Sequence, residues 1–133
     1  MARPRAETDR LDGIRVLVVD DEVDARELFG SILDSAGAAV VTAASAAAAL
    51  RILAEEPVDI LISDIEMPGD DGYSLLAQAT ALRQGEPLVA IAVTAYARTA
   101  DRRRALEAGF NWHMAKPIEP AELVSIVASL RQG

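Results

Sequence analysis

The sequence predicts an α/β fold in which an open, doubly wound parallel sheet carries helices on both faces. Short runs rich in valine and isoleucine alternate five times with segments of helical periodicity within the 133 residues. This alternation is typical of parallel strands joined by right-handed crossover helices. A closed barrel is disfavoured because it needs eight such units and a longer chain. We therefore expect a single domain.

The first half of the chain is predicted to contain three strands and two helices. Residues 14–19 form a valine-rich run that is apolar except for Arg15, as expected for a strand buried on both faces. Residues 25–36 repeat apolar side chains at helical spacing and stop before Gly37. A second strand is predicted over 39–43, and a helix from Ser45, as N-cap, to about Glu56, where Pro57 stops it. The third strand spans 58–63.

The second half repeats the pattern after a turn-rich segment over 64–72. Helices are predicted over 73–83, 99–108 and 120–130, the last with Pro120 in its first turn. Strands are predicted over 88–93 and 111–114. Residues 1–13 are charged and lack periodicity, so we expect them to form a flexible N-terminal arm or linker. The domain itself is predicted to span residues 14–131.

The composition excludes several classes of function. A net charge of −8 argues against direct binding of nucleic acid or of an anionic membrane. No apolar run approaches the ~18 residues of a membrane helix, and the N-terminus lacks the apolar core of a secretory signal. We therefore expect no membrane insertion and a cytoplasmic location. The absence of cysteine rules out disulfides and thiolate metal sites.

The chain contains twelve arginines but a single lysine, Lys116. Arginine presents a planar fork, whereas lysine is a compact point charge. Lys116 follows an apolar segment, so one interpretation is that a small ammonium group is needed there, and the other is chance.

Polar side chains follow four of the five predicted strands. Asp20 and Asp21 follow the first strand, Asp64 the third and Thr94 the fourth, while the fifth leads to Lys116. In an open parallel sheet, ligands bind beyond the carboxyl ends of the strands. We therefore expect three carboxylates, a hydroxyl and an ammonium group to meet at one edge of the sheet.

These groups suit the chemistry of a divalent cation and a phosphoryl group. Clustered carboxylates without histidine or cysteine favour an oxygen-preferring ion such as Mg²⁺. Phosphoryl transfer requires neutralisation of charge on three oxygens and an aligned nucleophile. Asp64 is the candidate nucleophile, which would form an acyl phosphate, with Thr94 and Lys116 as phosphoryl contacts.

Each of these residues also has a purely structural interpretation. Asp20 or Asp21 could cap the first helix, Asp64 could form an Asx turn, Thr94 could cap a helix and Lys116 could be a surface charge. All five fall at the carboxyl ends of strands, and this coincidence favours a functional site.

Four segments occur in the order VLVVDDE, SDIEMPGDDGYSLL, AVTAYA and MAKPIEPAEL, with thirty residues from Asp64 to Thr94 and twenty-two from Thr94 to Lys116. In these segments and their spacing the chain resembles the receiver domain of two-component response regulators, over essentially all of residues 14–131. The resemblance implies the flavodoxin-like strand order 2-1-3-4-5, for which a member of this family is a standard example.

The resemblance also implies roles for individual residues. Asp64 would accept a phosphoryl group from a histidine of a sensor histidine kinase or a histidine phosphotransfer protein. Asp21 and Asp64 would hold Mg²⁺ or Mn²⁺ directly, Asp20 mainly through water, and Glu66 through its backbone carbonyl. Thr94 and Lys116 would contact phosphoryl oxygens.

Further implications concern the peptide bond after Lys116 and the switching surface. The Lys116–Pro117 bond would be cis, which proline permits. Thr94 would follow the phosphoryl group and alter the surface of helix four, strand five and helix five, toward a downstream protein target. His113 stands where the family usually has a tyrosine or phenylalanine switch residue. It could rotate inward and bring pH sensitivity, or lie at the strand end without a switching role.

Two positions are expected to tune how long the phosphoryl group survives. They are Glu66, two residues after the acceptor, and Tyr96, two residues after the threonine. A bulky Tyr96 would shield the acyl phosphate from water. Arg102 to Arg104 have two open interpretations, a solvated helix face or a docking contact, and Phe110 and Trp112 are expected to be packing residues.

The sequence thus predicts a phosphorylation-controlled switch, not a turnover enzyme, with phosphotransfer and dephosphorylation catalysed by the domain itself. A phosphate-independent scaffold is one alternative. An aspartyl-nucleophile phosphatase is another. Such an enzyme would normally carry a DxDxT-like run at the end of the first strand, and the segment DDEVDA does not match that run. The receiver could stand alone or belong to a hybrid sensor histidine kinase. The N-terminal arm and the segment WHMAKPIEPAEL favour the second possibility.

Overall fold

The structure, a computed structural model, describes residues 10–69, 71–84, 86–95 and 98–132. The described residues form one parallel sheet in the order β2-β1-β3-β4-β5, so the predicted fold class and strand order are confirmed. Its strands are β1 (Arg15–Val19), β2 (Ala39–Ala43), β3 (Ile60–Asp64), β4 (Val89–Thr94) and β5 (Trp112–Ala115).

Helices follow the strands along the chain, as predicted, with small differences at their ends. They are α1 (Val23–Ser35), α2 (Ala46–Glu55), α3 (Gly72–Leu82), α4 (Thr99–Glu107) and α5 (Pro120–Gln132). The Ser45 hydroxyl accepts a hydrogen bond from the Ala48 amide at 3.2 Å, which confirms the predicted N-cap of α2.

Apolar side chains cover both faces of the sheet. Leu17 and Leu61 lie in a core shared with α2, α3 and part of α4. Val16 and Ile62 lie in a second core shared with α1 and α5. Because successive side chains of a strand point to opposite faces, the consecutive apolar residues of these strands supply both cores.

The register of the sheet brings the strand ends to one edge. Val19 of β1 pairs with Ser63 of β3, so Asp20 and Asp64 follow at the same level. Thr94 pairs with Ala115, the residue before Lys116. The edge that the sequence predicted to carry the site is therefore assembled by strand pairing alone.

Residues 10–13 differ from the predicted flexible arm. The Leu11 side chain is fully buried in the second core, and its amide donates a hydrogen bond to the Ala36 carbonyl at 2.8 Å. Arg131 donates hydrogen bonds to the carbonyls of Arg10 and Asp12. The one apolar side chain of this stretch gains burial against α1 and α5. Residues 1–9 lie outside the described part of the chain.

No helix in the described part of the chain combines the length and the apolar character that crossing a membrane requires.

Candidate functional site

Three carboxylates converge at the carboxyl ends of β1 and β3, as predicted. Asp20 and Asp64 are almost fully buried, whereas Asp21 is exposed. One oxygen from each of the three lies within 4.8 Å of the others. This all-oxygen set with one solvent-facing member fits a hard divalent cation such as Mg²⁺, which retains water molecules when it binds.

Lys116 lies against this carboxylate cluster. Its ammonium nitrogen is 3.0 Å from Asp20, 3.5 Å from Asp64 and 3.6 Å from Glu22. Although burial lowers the pKa of Lys116, the hydrogen bond that its ammonium group donates to Asp20 and the negative charge of Asp64 outweigh burial, so the pKa of Lys116 is raised. The Lys116–Pro117 bond is cis, as the resemblance implied. The single lysine is therefore a positive charge fixed within the cluster.

Asp20 is held by contacts on every one of its oxygens. Oδ1 accepts a hydrogen bond from the Glu22 amide at 2.9 Å, and Oδ2 accepts one from Lys116. The Asp20 carbonyl accepts a 2.7 Å bond from Arg26 of α1. These bonds offset the cost of burying a carboxylate beside others.

Asp64 has the most strongly perturbed acidity of the site. Burial, together with the negative charges of Asp20 and Glu66, raises the pKa of Asp64 to about 6 against the opposing charge of Lys116. Its Oδ1 accepts a hydrogen bond from the Glu66 amide at 3.3 Å. The cluster therefore disfavours full ionisation unless positive charge is added.

Gly72 permits the close packing behind Asp64. A Cβ atom at residue 72 would lie 2.6 Å from the Asp64 carbonyl oxygen and 3.0 Å from the Ile65 Cα. The Gly72 amide donates a hydrogen bond to the Ile65 carbonyl at 3.0 Å. Any larger residue at the start of α3 would displace the backbone that carries the candidate acceptor.

Thr94 lies at the end of β4 with its hydroxyl directed at Glu66. Its Oγ1 donates to the Glu66 carboxylate, at 2.8 Å from Oε2 and 3.0 Å from Oε1. The next amide, that of Ala95, lies 3.4 Å from Glu66 Oε1. The sequence predicted roles for both residues but not this contact between them.

His113 of β5 is half-buried. Its Nε2 is buried and has no hydrogen-bond partner among the described residues. Burial and the neighbouring charge of Arg102 lower the pKa of His113, against the weaker opposing charges of Asp101 and Glu66. Its switching role stays a prediction. Tyr96, the predicted shield, lies outside the described residues.

The structural alternatives are only partly realised. The N-cap of α1 is Glu22 and that of α4 is Arg98, neither with a side-chain cap bond, so no Asp20, Asp21 or Thr94 cap begins these helices. The Asp64 bond to the Glu66 amide is an Asx-type contact, so that alternative is met alongside the clustering.

Two residues near the site escaped the sequence reasoning. Glu22 contributes a carboxylate 3.6 Å from Lys116, and Arg26 supports the Asp20 carbonyl. Glu22 was visible as the third acid of the DDE run. No sequence signal distinguishes Arg26 from other helix-surface arginines, because its partner is a backbone atom.

The arginines of α4 are largely engaged with aromatic rings. The Arg102 guanidinium lies 5.5 Å from the ring centre of Trp112, and that of Arg104 lies 4.3 Å from the ring centre of Tyr73. Such cation–π contacts are attractive. They attach α4 to β5 on one side and to α3 on the other, a packing role the sequence did not predict.

A profile of the response regulator receiver domain matches residues 16–128. The chain belongs to this family. The receiver domain is 46% identical over 112 residues to an uncharacterised 14.6 kDa protein of Leptolyngbya boryana, covering 84% of this chain and 86% of that protein.

One further relative of the receiver domain is a much longer protein. The receiver domain is 34% identical over 116 residues to the sensor histidine kinase GacS of Pseudomonas protegens, covering 85% of this chain but 13% of GacS. A crystal structure of a putative response regulator from Chloroflexus aurantiacus superposes with a TM-score of 0.84 at 33% identity, covering 90% of this chain and 98% of that one. The predicted resemblance is thereby confirmed.

Proposed function

We propose that this receiver domain accepts a phosphoryl group on Asp64 from a phosphohistidine and acts as a switch in a phosphorelay. The observation that carries the proposal is the position of Asp64. It is buried at the end of β3, shares a pocket with two further aspartates and lies 3.5 Å from the sole lysine. A nucleophilic carboxylate beside fixed positive charge suits phosphoryl transfer.

The reaction follows from the charges of the pocket. An oxygen of ionised Asp64 attacks phosphorus, the bond between phosphorus and the donor nitrogen breaks, and the imidazole recovers the electron pair and takes up a proton. Lys116 stabilises the added negative charge. Asp20 and Asp21, with Asp64 and the Glu66 carbonyl, are the residues that would hold Mg²⁺ or Mn²⁺. When bound, the cation supplies charge neutralisation.

The likeness to a segment of a sensor histidine kinase supports a histidine kinase or a histidine phosphotransfer protein as the donor. The domain then turns over no separate substrate, and water removes the phosphoryl group from Asp64 within the same pocket. The chain is a switch in this proposal, not a turnover enzyme.

The output is proposed to be the surface of α4, β5 and α5. Thr94 is paired with Ala115 in the sheet, so a shift of Thr94 toward Asp64 acts directly on β5. A groove of about 350 Å³ lies on this surface, lined by residues that include Arg102, Trp112, His113 and Glu122. This groove supports docking of a downstream protein target.

The test is intact-mass spectrometry after incubation with acetyl phosphate and Mg²⁺, comparing wild type with Asp64→Asn. We expect one Mg²⁺-dependent phosphoryl adduct that the variant lacks. A control receiver modified under the same conditions validates the donor. Absence of the adduct from this protein would favour a phosphate-independent scaffold, and turnover of phosphate esters would favour a phosphatase.

A further inference from the structure

The Glu66 carboxylate holds two donors that lie at the entrance to the proposed reaction centre. One is the Thr94 hydroxyl, at 2.8 Å and 3.0 Å from the two carboxylate oxygens, and the other is the Ala95 amide at 3.4 Å. The hydroxyl belongs to the last residue of β4, and the amide belongs to the first residue of the following loop. Glu66 therefore spans from the β3 end to the β4 end of the sheet.

Glu66, which accepts these hydrogen bonds, is itself anchored beside Asp64. The Glu66 amide donates to Asp64 Oδ1, so the backbone of Glu66 is tied to the residue that would carry the phosphoryl group. A hydrogen bond to a carboxylate is stronger than one to a neutral oxygen. The hydrogen bond between Thr94 and Glu66 therefore restrains Thr94 through a residue that is itself bonded to Asp64.

A threonine hydroxyl has one hydrogen to donate. Thr94 can donate it to Glu66 or to a phosphoryl oxygen on Asp64, but not to both. The two anionic acceptors are mutually exclusive partners, and exclusive partners of one group define two states whose balance depends on their relative affinities.

We propose that Glu66 is a positioning residue that restrains Thr94 in the unphosphorylated protein and competes with the phosphoryl group for its hydroxyl. This inference rests on the proposed function and names the regulation of the same site. Phosphorylation must break the Glu66 contact before Thr94 can turn toward Asp64. Glu66 therefore determines how readily phosphorylation moves Thr94 toward Asp64.

The test measures the affinity of the full chain for beryllofluoride, a phosphoryl mimic, in the presence of Mg²⁺ by calorimetric titration. We expect Glu66→Ala to bind about tenfold more tightly than wild type, because a charge-assisted hydrogen bond no longer opposes the bound state. Glu66→Gln keeps an acceptor oxygen without the charge and should fall between the two. Equal affinities of Glu66→Ala and Glu66→Gln would indicate charge repulsion alone and overturn the inference.

Glu55→Ala is the matched control for the loss of one negative charge. Glu55 is exposed at the C-terminal end of α2, and crossover helices run antiparallel to the strands, so it lies toward the opposite edge of the sheet. We expect its affinity for beryllofluoride to equal that of wild type.

A double-mutant cycle with Thr94→Val assigns the effect to the hydroxyl. In the Thr94→Val protein, Glu66→Ala should change the affinity much less than it does in wild type, because the shared contact is already gone. An undiminished effect would mean that Glu66 acts by another route and would overturn the inference. The Ala95 amide resonance gives a second readout, and it should shift in unphosphorylated Glu66→Ala.

Failure of this inference differs from failure of the proposed function. If wild type and Glu66→Ala both form the Asp64 adduct and bind beryllofluoride equally, the restraint is refuted while the receiver chemistry stands. If neither protein forms the adduct nor binds beryllofluoride, the proposed function fails and the inference falls with it.

Discussion

The Lys116 ammonium group donates a 3.0 Å hydrogen bond to the buried carboxylate of Asp20. The pairing joins residues separated by 96 positions and links the ends of β1 and β5 across the sheet. Loss of one partner from a buried pair leaves the other charge uncompensated. Removal of Lys116 should therefore appear as a loss of stability.

We expect Lys116→Met to lower the free energy of unfolding by about 2 kcal/mol, because Asp20 and Asp64 lose their shared counter-charge. Urea unfolding in metal-free buffer measures this change. Lys116→Arg keeps the positive charge and should retain most of the stability. Equal stability of Lys116→Met and wild type would contradict the pairing.

Asp64 should make the metal-free protein less stable as the pH rises. Its pKa is about 6 in the folded protein and near 3.8 in the unfolded chain, so between these values the folded state holds a proton that the unfolded state has lost. Stability therefore falls as pH rises through this window, by up to about 3 kcal/mol, and changes no further above it.

Asp64→Asn removes this titration and should be more stable than wild type at pH 7.5 in EDTA. The difference should shrink as the pH is lowered toward 4, where Asp64 is protonated in the folded protein. Paired urea titrations at several pH values measure it. A difference that grows toward low pH would show that the carboxylate is stabilised, not strained, by its surroundings.

Binding of Mg²⁺ should stabilise the carboxylate cluster. At a concentration one hundred times the dissociation constant, the free energy of unfolding should rise by about 2.7 kcal/mol. Thermal unfolding across micromolar to tens of millimolar Mg²⁺ measures this rise. Asp21→Asn should weaken the response, whereas Asp24→Asn, which removes an exposed carboxylate of α1 outside the cluster, should not. Melting that ignores Mg²⁺ in wild type would refute the metal site.

His113 should remain neutral at pH 7. Burial and Arg102 lower its pKa from the ordinary value of 6.5, so the unfolded chain binds its proton more readily and stability from this residue is lost as pH falls below about 6.5. An NMR titration of the imidazole should give a midpoint below 6.5. His113→Phe should remove that part of the pH dependence, and a midpoint above 6.5 would show a partner that favours the cation.

Gly72→Ala should both destabilise the protein and displace Asp64, the proposed phosphoryl acceptor. The added Cβ would meet the Asp64 carbonyl oxygen at 2.6 Å, a backbone atom that cannot move alone. We expect a loss of about 2 kcal/mol in unfolding free energy and slower adduct formation. Gly30→Ala in α1, where the new Cβ meets its nearest neighbour at 3.9 Å, is the control. Normal adduct formation in Gly72→Ala would show that the site tolerates the shift.

The fold was largely predictable because its signals are local. The apolar run that became β1 and the helical spacing of α1 depend on residues close in sequence, and Ser45 caps α2 as its type and position indicated. The helix and strand ends differ by one or two residues, where capping and fraying leave the pattern ambiguous. The strand order came from the resemblance, since periodicity carries no information about which strands pair.

The candidate site was predictable in its membership but not in its internal bonds. Parallel strands place the ends that carry Asp20, Asp64 and Lys116 at one edge of the sheet, and the strand order implied by the resemblance brings the three residues together. The bond between Thr94 and Glu66 joins residues 28 positions apart, and it depends on how two loops approach each other. The burial of Leu11 is not predictable from the sequence, because one apolar residue among charged neighbours gives no periodic signal.

The contact between Arg102 and Trp112 gives the molecule an optical label of its own. Trp112 is the sole tryptophan, and it is 38% exposed. It lies in β5, which pairs with β4, the strand of Thr94, and its ring faces Arg102 of α4. Movement of α4 against β5 would change both the charge above the indole and its contact with water. The fluorescence spectrum of Trp112 can therefore report the proposed switch in unlabelled protein and in real time.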